Sequence, residues 1–242
     1  ELIYPILKST IEQDRVLVFD NYSLSGLYSG EQSFLDWREQ SYPNWTKDNV
    51  VPISMSKTLS VNVAQYSILN FAAMCAEKLN KLEDAEKYKG WALRLKESIN
   101  RYLYDENLGQ YYAYRLSNGI YDLPVFRYDL LGSSLAILLN VADEEMSKKI
   151  LSNYPIGKYG PSVTWPIEKN IPIYHNQGIW PFVTAYWTKA SKKINNYEAV
   201  NIGIKSLYDF AAINLLNMEN FDFISGLPYK ENGVLSGPVV NS

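Results

Sequence analysis

The chain has 242 residues, 47% of them hydrophobic and 20% charged, and its 23 basic against 26 acidic side chains leave a net charge of −3. That apolar fraction excludes disorder and collagen-like repeats, no run approaches the roughly 18 uninterrupted apolar residues of a membrane span, and mild acidity gives no electrostatic reason to expect nucleic acid. One cysteine (Cys75) and one histidine (His175) exclude a disulfide framework and leave no Cys/His set for zinc.

In chain order, Leu2–Ile6 and Arg15–Phe19 are apolar runs too short to define elements, and a polar-aromatic stretch follows from Gly30 to Trp45. Val63, Tyr66, Leu69, Phe71 and Met74 predict a helix over Leu59–Asn80. Ala85, Tyr88, Ala92, Leu95, Ile99 and Tyr102 recur every three or four residues and predict another over Leu82–Leu103. The short Asn80–Lys81 link makes these two an antiparallel hairpin. Gly109–Leu116 alternates through Tyr112, Tyr114 and Leu116 like a strand, with a turn signal at Asn118-Gly119. A second helix pair is expected over Tyr128–Leu139 and Glu144–Ser152, and a third over Gly178–Ala190 and Tyr197–Leu216. Between them Pro155–Pro172 carries four prolines and excludes regular helix. No low-complexity linker divides residues 1–242, which therefore read as one domain of serial helix hairpins with rich loops between them.

Three of these loops gather chemistry. The first, residues 30–45, packs Glu31, Asp36, Arg38, Glu39 and Gln40 among Trp37, Tyr42 and Trp45. Acids, a base and flat aromatic surface are what carbohydrate cleavage requires, although such a cluster is more often an ion-pair network. The second is Tyr174-His-Asn-Gln-Gly-Ile-Trp-Pro181, where His175 and Asn176 offer hydrogen bonds, Trp180 a wall, and Pro181 suits a first helical turn. The third is Asn217–Gly226, with Glu219 and Asp222 beside Phe221 and Phe223.

With these segments in this order, the chain resembles the six-hairpin, (α/α)6-toroid glycosidases, in particular glycoside hydrolase families 63 and 37 and bacterial debranching-type proteins. Those enzymes carry an E-S-G-x-D segment whose Asp is the general acid; Ser33-Phe-Leu-Asp36 keeps the Ser-to-Asp spacing, with Glu31 displaced. Tyr174-His-Asn-Gln-Gly-Ile-Trp180 is similar to their aromatic-Arg/His-Gly/Asn-x-x-Trp segment. Glu219-Asn-Phe-Asp-Phe-Ile-Ser-Gly226 is similar to the E-N-x-x-P-x-T-G segment that holds the general base. Asp105–Tyr112 resembles the Asp-x-x-x-Gly-x-Tyr hairpin that follows an outer helix. The acid segment departs from the family pattern, so Glu31 and Glu39 rival Asp36; no Pro-x-Thr-Gly follows Glu219, so Glu168 and Glu231 rival it as base.

The resemblance implies an all-α toroid with short β-hairpins in its loops, and an inverting, exo-acting glycoside hydrolase for α-linked glucosides or related oligosaccharides. Asp36 is then the acid and Glu219 the base, their carboxyls roughly 6.5–9.5 Å apart to admit a water. Trp37, Trp45, Trp165 and Trp180 become stacking walls, and Arg38, Gln40, His175 and Asn176 hydroxyl ligands. No cofactor or metal is implied, and the partner is an oligosaccharide rather than nucleic acid or membrane. An inverting phosphorylase and a non-catalytic glycan-binding toroid are the alternatives. Sugar epimerases of this fold use paired histidines, and the chain has one. Three hairpins supply about six of the twelve helices of a closed toroid, and the chain opens on Glu1 rather than Met. It is therefore expected to be part of a larger ring, incomplete at one or both ends. No targeting signal is visible, and compartment and oligomeric state stay open.

Overall fold

The computed structural model describes residues 2–20, 24–30, 50–118, 120–167, 173–215, 218–231 and 234–235. Glu31, Asp36, Trp37, Arg38, Glu39, Gln40, Trp45 and Glu168 lie outside the described residues, and Glu231 is described only as part of a strand. The rest is mainly helical with short strands and falls into two compact units.

The first unit contains residues 2–20, 24–30, 50–104, 112–118 and 120–125. Its first helix, α1 (Tyr4–Leu17), joins the two apolar runs that sequence left undefined, because buried Tyr4 and Ile11 lie two turns apart on one face. A short α2 (Val50–Ser54), which no periodicity announced, precedes β1 (Lys57–Thr58). The hairpin of α3 (Leu59–Lys78) and α4 (Leu82–Leu103) forms as expected. On α4 the buried stripe is Ala85, Tyr88, Ala92, Leu95, Ile99 and Leu103, with Tyr102 at its edge. On α3 the predicted Val63 and Leu69 are buried, but further along Ala72, Ala73 and Ala76 face inward while Phe71 and Met74 point outward. Small side chains on that face let α4 approach closely.

The strands β2 (Tyr104–Asp105) and β3 (Gln110–Tyr111) follow α4, and the Asp105 carboxylate accepts from Asn107 N (2.9 Å) and Leu108 N (3.2 Å) to fix the turn. The predicted Gly109–Leu116 strand is thus split, with β4 (Tyr114–Ser117) starting anew because Tyr112 N and Ala113 O bond instead to Leu103 and Leu59. β4 pairs antiparallel with both β1 and β5 (Asp122–Pro124), and Asn118 Oδ1 caps the connecting turn by accepting from Ile120 N and Tyr121 N. Lys57 and Arg115 stand opposite each other in this sheet. Asp122 separates them, with Oδ2 2.5 Å from Lys57 Nζ and Oδ1 2.5 Å from Arg115 Nε. Lys57, only 1% exposed, also pairs with Asp20 at 2.7 Å. Burial works to raise the Asp122 carboxyl, but the two cations outweigh it and hold the group below its ordinary value.

A second ionic cluster clamps α1 to α4. Tyr4 Oη (2.9 Å) and Lys8 Nζ (2.8 Å) donate to Asp84, with Lys87 at 3.2 Å. Partial burial works to raise the Asp84 carboxyl; the hydrogen bonds from Lys8, Tyr4 and Lys87 prevail and pull it down to about 2. A depressed carboxyl contributes stability above its unfolded value and loses it as pH falls through the folded one. The thermal-stability gap between the parent and Asp84→Asn is therefore expected to be full at pH 7 and to close between about pH 4 and pH 2. Melting curves across that range check this; a gap unchanged in acid excludes the clamp as its source.

The second unit holds residues 105–111, 126–167, 173–215, 218–231 and 234–235. Its helix α5 (Leu130–Leu138) starts two residues later than periodicity suggests, because Tyr128–Asp129 form strand β6 and the Asp129 side chain caps Leu131 N and Gly132 N. The following α6 (Glu144–Asn153) packs on β3, while α5 packs chiefly on α8 (Pro181–Lys193). The expected second hairpin is thus sequential but not a close pair. α8 and α9 (Tyr197–Asn214) do form the third hairpin. α8 begins at Pro181 rather than Gly178, as a proline at the first helical position favours.

Candidate functional site

The site is built in the second unit from three stretches that regular helix could not supply. The proline-rich stretch folds as β7 (Ile156–Gly157), β8 (Gly160–Pro161) and β9 (Thr164–Trp165), then α7 (Ile173–Gln177) follows. β9 pairs antiparallel with β6, which sets Trp165 opposite Tyr128. Burial pushes the Tyr128 phenol up, and the nearby Asp105 charge adds to it. From Gly178 the chain runs extended, its carbonyl accepting from Val163 N at 2.9 Å.

The segment after α9 closes on this frame. Ile179 and Phe221 exchange reciprocal backbone bonds of 2.8 and 2.9 Å. Phe221 stacks on Phe210 with 3.7 Å between ring centroids, in a cluster with Ile179 and Met218. Asn220, fully buried, donates from Nδ2 to the Tyr174 carbonyl at 3.0 Å. Trp180 donates from Nε1 to the same carbonyl, also at 3.0 Å. The Tyr174–Trp180 and Glu219–Gly226 segments, singled out separately in the sequence, are thereby knitted into one assembly. Glu219 sits half-buried on the bend between buried Met218 and Asn220. Asp222, the other acid of this segment, spends its Oδ1 on Ile224 N, Ser225 N and Ser225 Oγ and so holds its own turn.

His175, Asn176 and Trp180 lie beneath the surface, at 1%, 1% and 5% exposure. The His175 ring stacks on Trp180 (5.1 Å, 22°) and tilts against Tyr174 (4.4 Å). Asn176 Oδ1 accepts from Arg127 Nη2 at 2.8 Å, and Thr164 Oγ1 lies 2.7 Å from the Asn176 carbonyl and 3.1 Å from that of His175. The partly exposed groups are Trp165, tilted against Phe223 at 6.5 Å, and Tyr174 and Tyr229, whose rings are 5.9 Å apart. Beside Tyr229 opens a groove of about 540 Å³, bordered by Ile173, Asp222, Leu227 and Lys230. Sequence reasoning missed Arg127, Thr164 and Asn220. Asn220 at least lies inside a singled-out segment; an isolated Arg before a helix carries no comparable signal.

Gly178 makes this closure possible. A Cβ there would lie 2.5 Å from the Tyr174 carbonyl oxygen and 2.3 Å from Asn220 Oδ1, and one of those atoms belongs to rigid backbone. Gly178→Ala is expected to cost about 1–3 kcal/mol of stability and to alter the near-ultraviolet circular dichroism of the surrounding aromatics. Unchanged denaturation and dichroism would show that the junction relaxes freely.

No family model matches the chain, and no curated protein matches its sequence. Solved structures do match in shape. A family GH78 rhamnosidase of Bacillus sp. GL1 superposes with a TM-score of 0.63 at 20% identity, covering 90% of this chain and 20% of its own. A sialidase gives 0.71 at 13% identity, covering 97% of this chain and 22% of its own. The neutral trehalase of Saccharomyces cerevisiae gives 0.65 at 12% identity, covering 90% and 53%. The chain therefore has the helical-hairpin fold found in these glycosidases over most of its length, and it spans about half or less of theirs.

Proposed function

We propose that this chain forms part of the catalytic domain of a glycoside hydrolase. One observation carries the proposal: two segments that resemble site motifs of toroid glycosidases are joined through the Tyr174 carbonyl and the Ile179–Phe221 pair, on a fold that glycosidases share. Both units are assigned to a single (α/α)6 toroid larger than the chain. Exposed Ile204 and Tyr208, one turn apart on α9, with Leu215 just after it, support this, as an apolar stripe that a further helix would cover.

In the mechanism we infer, Asp36 protonates the leaving oxygen while Glu219 activates a water on the opposite face of the sugar, giving inversion. Trp165, Tyr174 and Tyr229 contact the sugar rings, together with Trp37 and Trp45. Arg38 and Gln40 bind hydroxyls. His175, Asn176 and Trp180 hold the wall from behind through Arg127 and Tyr174. The substrate class is α-linked glucosides or related oligosaccharides. The rhamnosidase, sialidase and trehalase names differ in their sugar, so the fold leaves that choice to the loops.

The test is sugar release from a panel of maltose, isomalto-oligosaccharides, trehalose, mannosides and rhamnosides, with NMR of the first-formed anomer. Hydrolysis with inversion is expected. Binding without turnover across the panel would make the protein a glycan-binding toroid, and cleavage that requires added phosphate would make it a phosphorylase.

A further inference from the structure

The first unit carries a feature that glycoside cleavage leaves unused. A pocket of about 280 Å³ opens between the end of α1, residues 24–26 and the C-terminal half of α4. Arg15, Arg94 and Arg101 line it, and Glu97 is the one acid among its described lining residues. None of the three arginines forms an ion pair among the described residues. The nearby carboxylate of Asp20 is taken up by Lys57 at 2.7 Å and Ser25 Oγ at 2.7 Å.

The Arg15 guanidinium is held in place by its aromatic neighbours, whereas Arg94 and Arg101 are exposed. Arg15 is half-buried, its Cζ 3.3 Å from the centroid of the Phe19 ring and 5.0 Å from that of Trp91. Aromatic faces hold the cation without neutralising it. Arg94 and Arg101 lie two turns apart on α4 with Glu97 and Ser98 between them; the Arg94 fork runs back along the helix, its Nη1 3.4 Å from where a Gly90 Cβ would lie, and Arg101 Cζ is 5.3 Å from the Tyr102 ring centroid. Residues 24–26 lie close on this part of α4 at Gly26, which takes a φ of +71° and whose missing Cβ would come within 2.6 Å of the Ser98 hydroxyl. Three arginines against the single acid Glu97 leave this small space with a net positive charge, and planar guanidinium forks match the geometry of carboxylate, sulfate and phosphate.

We propose that this pocket binds an oxyanion, either free or borne on a small polar molecule such as an acidic sugar. Its volume, just below the usual range for small-molecule sites, admits about one such group with its carrier ring. The site belongs to the first unit and stands independently of the glycosidase proposal.

Titration calorimetry at low ionic strength tests it with inorganic sulfate, inorganic phosphate, glucuronate and, as a neutral control, glucose. Saturable binding of at least one anion in the millimolar range or tighter is expected, with none for glucose. The exposed positions allow Arg94→Gln and Arg101→Gln without disturbing the fold, and each is expected to weaken binding about tenfold. Glucuronate binding tighter than the inorganic ions assigns the site to acidic sugars; the reverse assigns it to the free ion. No saturable anion binding, equal binding of glucose and glucuronate, or parent-like affinity in both variants would overturn the proposal.

Discussion

Lys57→Met is expected to lower the unfolding free energy by about 3–5 kcal/mol, the usual cost of breaking a buried ion pair from one side. Lys57 is 1% exposed and its ammonium serves Asp20 and Asp122 together. Methionine fills much the same space, so the loss isolates charge from packing. Asp122 keeps Arg115 at 2.5 Å, whereas Asp20 loses the ammonium and keeps the Ser25 hydroxyl. The deficit is therefore expected to be greatest near neutral pH and to shrink in acid as the carboxylates protonate. Urea denaturation of the parent and variant at pH 7 and pH 4 measures both effects. A loss below about 1 kcal/mol at pH 7 would place this pair with ordinary surface salt bridges.

Glu219→Gln is expected to reduce kcat/KM about 10²–10⁴-fold on whichever glycoside the panel identifies, with the fold intact. The amide keeps the size and bend position of the carboxylate but cannot take a proton from the attacking water. Its neighbours Asn220 and Phe221 fix the backbone on one side through bonds that do not involve the Glu219 side chain, so circular dichroism should match the parent. Asp36→Asn should show a comparable loss, smaller for substrates with a good leaving group, since such a group departs without the acid's proton. Undiminished turnover in Glu219→Gln would move the base to Glu168 or Glu231; undiminished turnover in Asp36→Asn would move the acid to Glu31 or Glu39.

Legibility varied with the kind of force at work. The α4 stripe could be read almost residue for residue, because an amphipathic helix on a surface has one apolar face and little else to satisfy. On α3 the largest apolar residues drew attention to Phe71 and Met74, but close helix packing selected the alanines instead. The starts of α5 and α8 were misplaced by strand β6 and by the extended Gly178–Trp180 run, both set by backbone pairing with distant segments. At the candidate site, the order of the segments carried the resemblance, and local composition marked Tyr174–Trp180. What composition could not give was depth. His175 and Trp180 look like ligand-facing groups in one dimension, yet pack against each other in three. Arg127 and Thr164, which hold them there, sit in segments with no motif.

The Tyr174 carbonyl, with an indole from one segment and an amide from the other converging on it, has a consequence for any attempt to transplant specificity. Residues 173–180 and 218–229 share that acceptor and the Ile179–Phe221 exchange, so neither can be swapped alone without stranding a buried donor. A chimera that imports one loop from a glycosidase of similar fold inherits a mismatched seam. One that imports both, with the glycine at 178 retained, carries its own scaffolding along, and these two stretches form the smallest exchangeable cassette of the site.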